Sequence, residues 1–73
     1  MGIRTNAEYR IIEAIRIDTE NEVVIGQTET RFGTQYVTWM CKNGTDYYWG
    51  HYITDYDSAR IDLFKRVLEN LGA

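Results

Sequence analysis

Cys41 and His51 are the only residues of their kinds in this 73-residue chain. A thiolate beside an imidazole makes a nucleophile and base when the two stand within hydrogen-bond reach. Both lie in YVTWMCKNGTDYYWGHYI (36–53), two strand-like runs joined through Asn43-Gly44. Asn-Gly between such runs is the strongest short hairpin signal. Read as a two-residue turn, it sets Lys42 opposite Thr45 and Cys41 near Asp46. His51 then falls on the other face, farther along the strand by roughly 16 Å at about 3.3 Å per residue. No dyad is expected, and Cys41 reads as a small core residue.

The remaining chemistry is sparse. Metal sites need clustered ligands, and here one histidine, one cysteine and scattered acids are available. Asp55 and Asp57 in ITDYDSAR lack the other acids and the glycine of a calcium loop, so they read as helix caps. Neither IGQTETRFG nor CKNGTDYYWG matches a phosphate-binding loop. The expectation is no catalytic residue, no cofactor and no metal, hence not an enzyme.

Composition narrows the classes further. The net charge is −3, from 11 acids and 8 bases, whereas nucleic-acid binders usually carry a basic patch. No apolar run approaches the ~20 residues of a membrane span, and MGIRTNAEYR lacks the apolar core of a signal peptide. A single cysteine allows no intrachain disulfide. A free thiol without an export signal fits the cytoplasm.

These side chains must be positioned by a small α+β domain spanning residues 1–73. The expected layout is a four-stranded antiparallel meander (9–18, 22–29, 35–42, 46–53) followed by one helix (56–71) on one face of the sheet. YRIIEAIRID (9–18) is rich in β-branched residues, which favour strands. A helix starting from a Thr5/Glu8 capping box is the rival reading of residues 6–17. DTENE (18–22) is a polar turn, and TRFGTQ (30–35) a loop around Gly33. In the helix, Tyr56, Ala59, Leu63, Phe64, Val67, Leu68 and Leu71 form one apolar arc, with Asp62, Lys65, Arg66 and Glu69 opposite.

Alternation sorts the hairpin into two faces. Val37, Trp39, Cys41, Tyr48, Gly50 and Tyr52 share one; Tyr36, Thr38, Met40, Tyr47, Trp49, His51 and Ile53 share the other. Glycine within a strand often marks close backbone approach. Gly50 and Gly26, the latter counted opposite Ile15, therefore assign the first face to the helix, with Ile11, Ile15, Ile17 and Val24. A three-residue turn would change this register. The face left open carries Tyr36, Met40, Tyr47, Trp49, His51 and Ile53, residue types enriched at interfaces. The expected function is a non-enzymatic interaction domain that uses this face to bind itself, as a homodimer, or another protein. The alternative is base stacking by the same rings on single-stranded nucleic acid, which the missing basic groove disfavours.

Two charges look misplaced: Glu13 on the isoleucine face and Arg60 within the helix's apolar arc. A Glu13–Arg60 ion pair would account for both; stacking of Arg60 on Trp39 or Tyr48, or snorkelling past the sheet edge, would also place the arginine.

The block VTWMCKNGTDYYWGHYITDYDSARIDLFKR (37–66) resembles small uncharacterised bacterial proteins of gut-dwelling Gram-positive species, often encoded near mobile elements. They share VTW, then NG, then YYWGHY, then an Ala…Asp-Leu…Arg helix. The resemblance implies a small cytoplasmic accessory protein and assigns no residue a role.

Overall fold

The computed structural model describes residues 3–71. An antiparallel sheet of five strands is followed by one C-terminal helix, in the order β1 (Thr5–Asn6), β2 (Tyr9–Arg16), β3 (Asn21–Thr30), β4 (Gly33–Lys42), β5 (Asp46–Ile53) and α1 (Tyr56–Leu71). The strands lie side by side in chain order. The α+β meander with a terminal helix agrees with the sequence reading; the strand count is five rather than four.

The additional strand is a short edge. Asn6 pairs with Tyr9, so Ala7 and Glu8 alone make the turn, both with positive φ, 50° and 69°. Two-residue hairpins want this geometry, but usually recruit Asn and Gly for it. Ala-Glu therefore gave no turn signal. Residues 9–16 are strand and not helix.

Strand register departs from simple alternation in two bulges and one turn. In β2, Ile11 pairs with Gly26 and Glu13 with Ile25, leaving Ile12 extra. Tyr9 and Ile11 thus face one side, while Glu13 and Ile15 face the other; Gly26 lies opposite Ile11, not Ile15. At the β4–β5 turn, Asn43 and Gly44 have positive φ, and the Thr45 amide donates to the Lys42 carbonyl at 3.3 Å. The ladder nevertheless pairs Lys42 with Asp46, making Thr45 a third loop residue. A bulge then places Trp49 and Gly50 of β5 against Trp39, with Trp49 at φ 54°. Turn and bulge each add one residue, so only Tyr47 and Tyr48 exchange faces; Tyr52, His51 and Ile53 keep theirs.

The helix begins at a cap. The Asp55 carboxylate accepts from the Ser58 amide at 2.8 Å and from its hydroxyl at 2.7 Å. Ala59, Leu63 and Val67 bury one stripe against Val23, Ile25 and Met40, with Tyr36, Tyr48 and Ile53 packed around them. The helix therefore covers the face opposite to the one expected.

The glycines explain the inversion. A Cβ on Gly26 would meet Trp39 Cζ3 at 3.0 Å, and one on Gly50 would meet Trp39 Nε1 at 2.8 Å. The close approach is made by an indole laid across the sheet, not by helix backbone. Trp39, with Tyr9, Ile11 and Tyr47 around it, shelters Val24, Val37 and Cys41. Tyr9 meets the indole edge-on at 5.5 Å, and Tyr47 lies tilted against it at 5.6 Å. Each strand face of β3 and β4 is closed within one chain, one by the helix and one by its own rings.

Candidate interaction surface

The six residues expected on an open aromatic face do not share one. Tyr36, Met40, His51 and Ile53 lie on the helix side, and Met40 is only 6% exposed. Tyr36 stacks on Tyr56 of the helix at 5.6 Å. Tyr47 lies on the other side, half-buried against Trp39. Trp49 stands apart on the bulge, 73% exposed. The same division separates the rings proposed to stack nucleic-acid bases.

Arg66 fixes the bulge. Its guanidinium is buried, although its spacing suggested the solvent side. Nη1 donates to the Thr38 carbonyl at 3.0 Å, and Nη2 to the Trp49 carbonyl at 2.5 Å. Nη2 also stands 3.3 Å from His51 Nε2. A guanidinium only donates, so that nitrogen accepts, and the neutral imidazole carries its proton on Nδ1. Nδ1 lies 2.9 Å from Asp62 Oδ2, which also accepts from the Thr38 hydroxyl at 2.5 Å. Burial alone would raise the Asp62 carboxyl; the hydrogen bonds from Thr38 and His51, with the nearby charge of Arg66, outweigh it and hold the group below its usual range. Desolvation is likewise the leading influence on Arg66 and lowers its pKa. The network ties α1 to β4 and β5 by polar contacts where apolar packing ends.

On the opposite flank the helix meets β2 through side chains. Arg60 Nε stands 3.5 Å from Glu13 Oε2, and Glu13 also accepts from the Tyr56 hydroxyl. The Arg60 guanidinium lies 5.1 Å from the Phe64 ring and 6.0 Å from Tyr56, rather than on Trp39 or Tyr48.

Cys41 and His51 lie on opposite faces: Cys41 pairs with Tyr47 and His51 with Thr38. Cys41 is buried, and desolvation first, then the Glu22 charge, pushes its thiol up. Arg4 covers this end of the face, bound to Glu22 at 2.5 Å and to the Tyr47 hydroxyl at 3.0 Å. Among the described residues, no group of three His, Cys, Asp or Glu side chains is arranged to hold a metal. No helix among them is long and apolar enough to cross a membrane.

Ile3, Phe32, Trp49 and Tyr52 are exposed on the strands and loops, but the largest set of exposed apolar side chains on one element lies on α1. Ile61 (68%), Phe64 (43%), Leu68 (69%) and Leu71 (58%) all face water. Because Ala59, Leu63 and Val67 define the buried stripe, these four form a second one beside it. The sequence arc had merged Phe64, Leu68 and Leu71 with the core and passed over Ile61. The spacing 61, 64, 68, 71 was available as a signal. A helix with two apolar stripes cannot bury both on one sheet. Ile12 and Ile15 of β2, and Ile17 just after it, are only half-buried against the core under the helix.

No family model, curated protein or solved structure matches the chain.

Proposed function

We propose that the protein is a non-enzymatic interaction domain that self-associates through the outer stripe of α1. The observation that carries this reading is the exposure of Ile61, Phe64, Leu68 and Leu71 as one continuous row. At their fractional exposures these side chains present on the order of 500 Å², within the range of patches that mark interaction sites. That is roughly a tenth of the chain's 4978 Å² surface, and two copies would bury about 1,000 Å² between them, the lower end for a specific interface. A chain this small, without a disulfide, gains much from burying it. The helix stripe replaces the sheet face expected from sequence, and what supports the change is that Trp39 and the register cover the β3–β4 ladder on the side away from the helix.

Sedimentation of the wild type and of Leu68→Glu tests the reading. The wild type is expected to associate with rising concentration, and the variant to stay monomeric with its melting temperature in dilute solution little changed, since surface substitutions usually cost within about 0.5 kcal/mol. A wild type that remains monomeric up to millimolar concentration overturns it.

A further inference from the structure

We infer that the occupant of this stripe is the α1 helix of a second copy, packed antiparallel about a twofold axis between Phe64 and Leu68. This rests on the self-association reading and specifies its geometry. The intervals along Ile61, Phe64, Leu68 and Leu71 are three, four and three residues. The row therefore reads the same from either end. Such a row can pack on its own reverse about a twofold axis, the same patch being contributed by both copies. Reversed on itself, it sets Ile61 on Leu71 of the second copy and Phe64 on Leu68.

Charge separates this from the parallel arrangement. With Ile61 and Phe64 at the first and fourth positions of a seven-residue repeat, Arg60 and Lys65 flank the seam. In a parallel pair these flanking positions face each other across the two chains, which would oppose Arg60 to Lys65 twice. In the antiparallel pair like flanks meet. Lys65 then comes to lie within about 3 Å, measured along the axis at 1.5 Å per residue, of both Lys65 and Glu69 of the second copy; the symmetry makes the attractive contact twice and the repulsive one once, against two repulsive contacts in the parallel pair. Arg60 stays with Glu13 and Phe64 of its own chain.

Cysteine substitutions at the two ends of the row, made in a Cys41→Ala background so that each chain carries one thiol, test the geometry. Disulfides form when Cα atoms are about 4.4–6.8 Å apart. In the antiparallel pair the two copies of residue 61 are about 15 Å apart along the axis, while residue 61 meets residue 71. Ile61→Cys mixed with Leu71→Cys and oxidised should give a 61–71 cross-linked heterodimer, identified by mass spectrometry, and neither variant alone should cross-link. Homotypic 61–61 cross-links, or no cross-link in a mixture that sediments as a dimer, overturn the antiparallel pairing while leaving self-association standing. A monomeric mixture, with a wild type monomeric in parallel, overturns both.

Discussion

The Trp39 indole lies over Gly50 so closely that a Cβ there would stand 2.8 Å from Nε1 and 3.1 Å from Cδ1. Trp39 is almost fully buried and spans the sheet between Gly26 and Gly50. It takes the place of a second covering helix. Gly50→Ala should therefore push the ring from its seat and destabilise the fold by about 1–3 kcal/mol, the usual cost of overpacking. Thermal unfolding checks the loss, and a change in near-ultraviolet tryptophan ellipticity should accompany it. An unchanged melting temperature would mean that the ring moves aside freely.

Ala7 and Glu8 both hold positive φ, a region that costs an ordinary L-residue roughly 1–2 kcal/mol. Replacing them with the pair that favours this turn, Ala7→Asn with Glu8→Gly, should raise stability by about 1 kcal/mol or more, measured by urea unfolding with an unchanged slope. Neither change touches the buried core, so the helix stripe and any association through it should be unaffected.

Arg66 should be among the costliest charged residues to remove. Arg66→Met keeps the stem but leaves the Thr38 and Trp49 carbonyls short of a donor, at about 1–3 kcal/mol for each buried group left unsatisfied. Beyond the lower stability, Trp49 fluorescence should change, because the carbonyl of the bulged residue is no longer held. Arg60→Met should cost much less, within about 1 kcal/mol, as the Glu13 pair is partly exposed.

The Asp62 carboxyl is held low in the folded state by Thr38 and His51 against the opposing effect of burial. A depressed carboxylate contributes its stability above its unfolded pKa of about 3.9, and loses it as pH falls toward the folded value. Between neutrality and about pH 4 this contribution should be flat, and below about pH 4 it should decline. Asp62→Asn should remove that decline from the acid limb of a stability–pH curve. A variant whose acid limb parallels the wild type would show that other carboxylates set it.

The element order from β2 through α1 was legible because each rests on local chemistry: β-branched runs for the strands, Asn43-Gly44 for the hairpin, a capping residue among Thr54, Asp55 and Asp57 ahead of a long periodic segment. The segregation of Tyr36, Thr38 and Met40 from Val37, Trp39 and Cys41 was equally legible, since alternation within an unbulged strand is fixed by the backbone. The bounds of β5 and α1 coincide with those expected, Asp46–Ile53 and Tyr56–Leu71.

Which face received the helix was decided only in three dimensions. Both faces of the β3–β4 ladder are apolar, so alternation divides them without ranking them. The choice rests on a shape match between one indole and two glycines on different strands, and that match is not a periodic property of any segment. The β2 bulge at Ile12 and the β5 bulge at Trp49 likewise depend on neighbours across the ladder. Once Trp39 closes one face, the helix takes the other, and Ala59, Leu63 and Val67 fit it best. Ile61, Phe64, Leu68 and Leu71 are thereby turned outward. Local sequence determined the elements and the membership of each strand's two faces. Tertiary packing determined which apolar surface remained for a partner, because burial is a competition among all such surfaces and one helix can satisfy a single face.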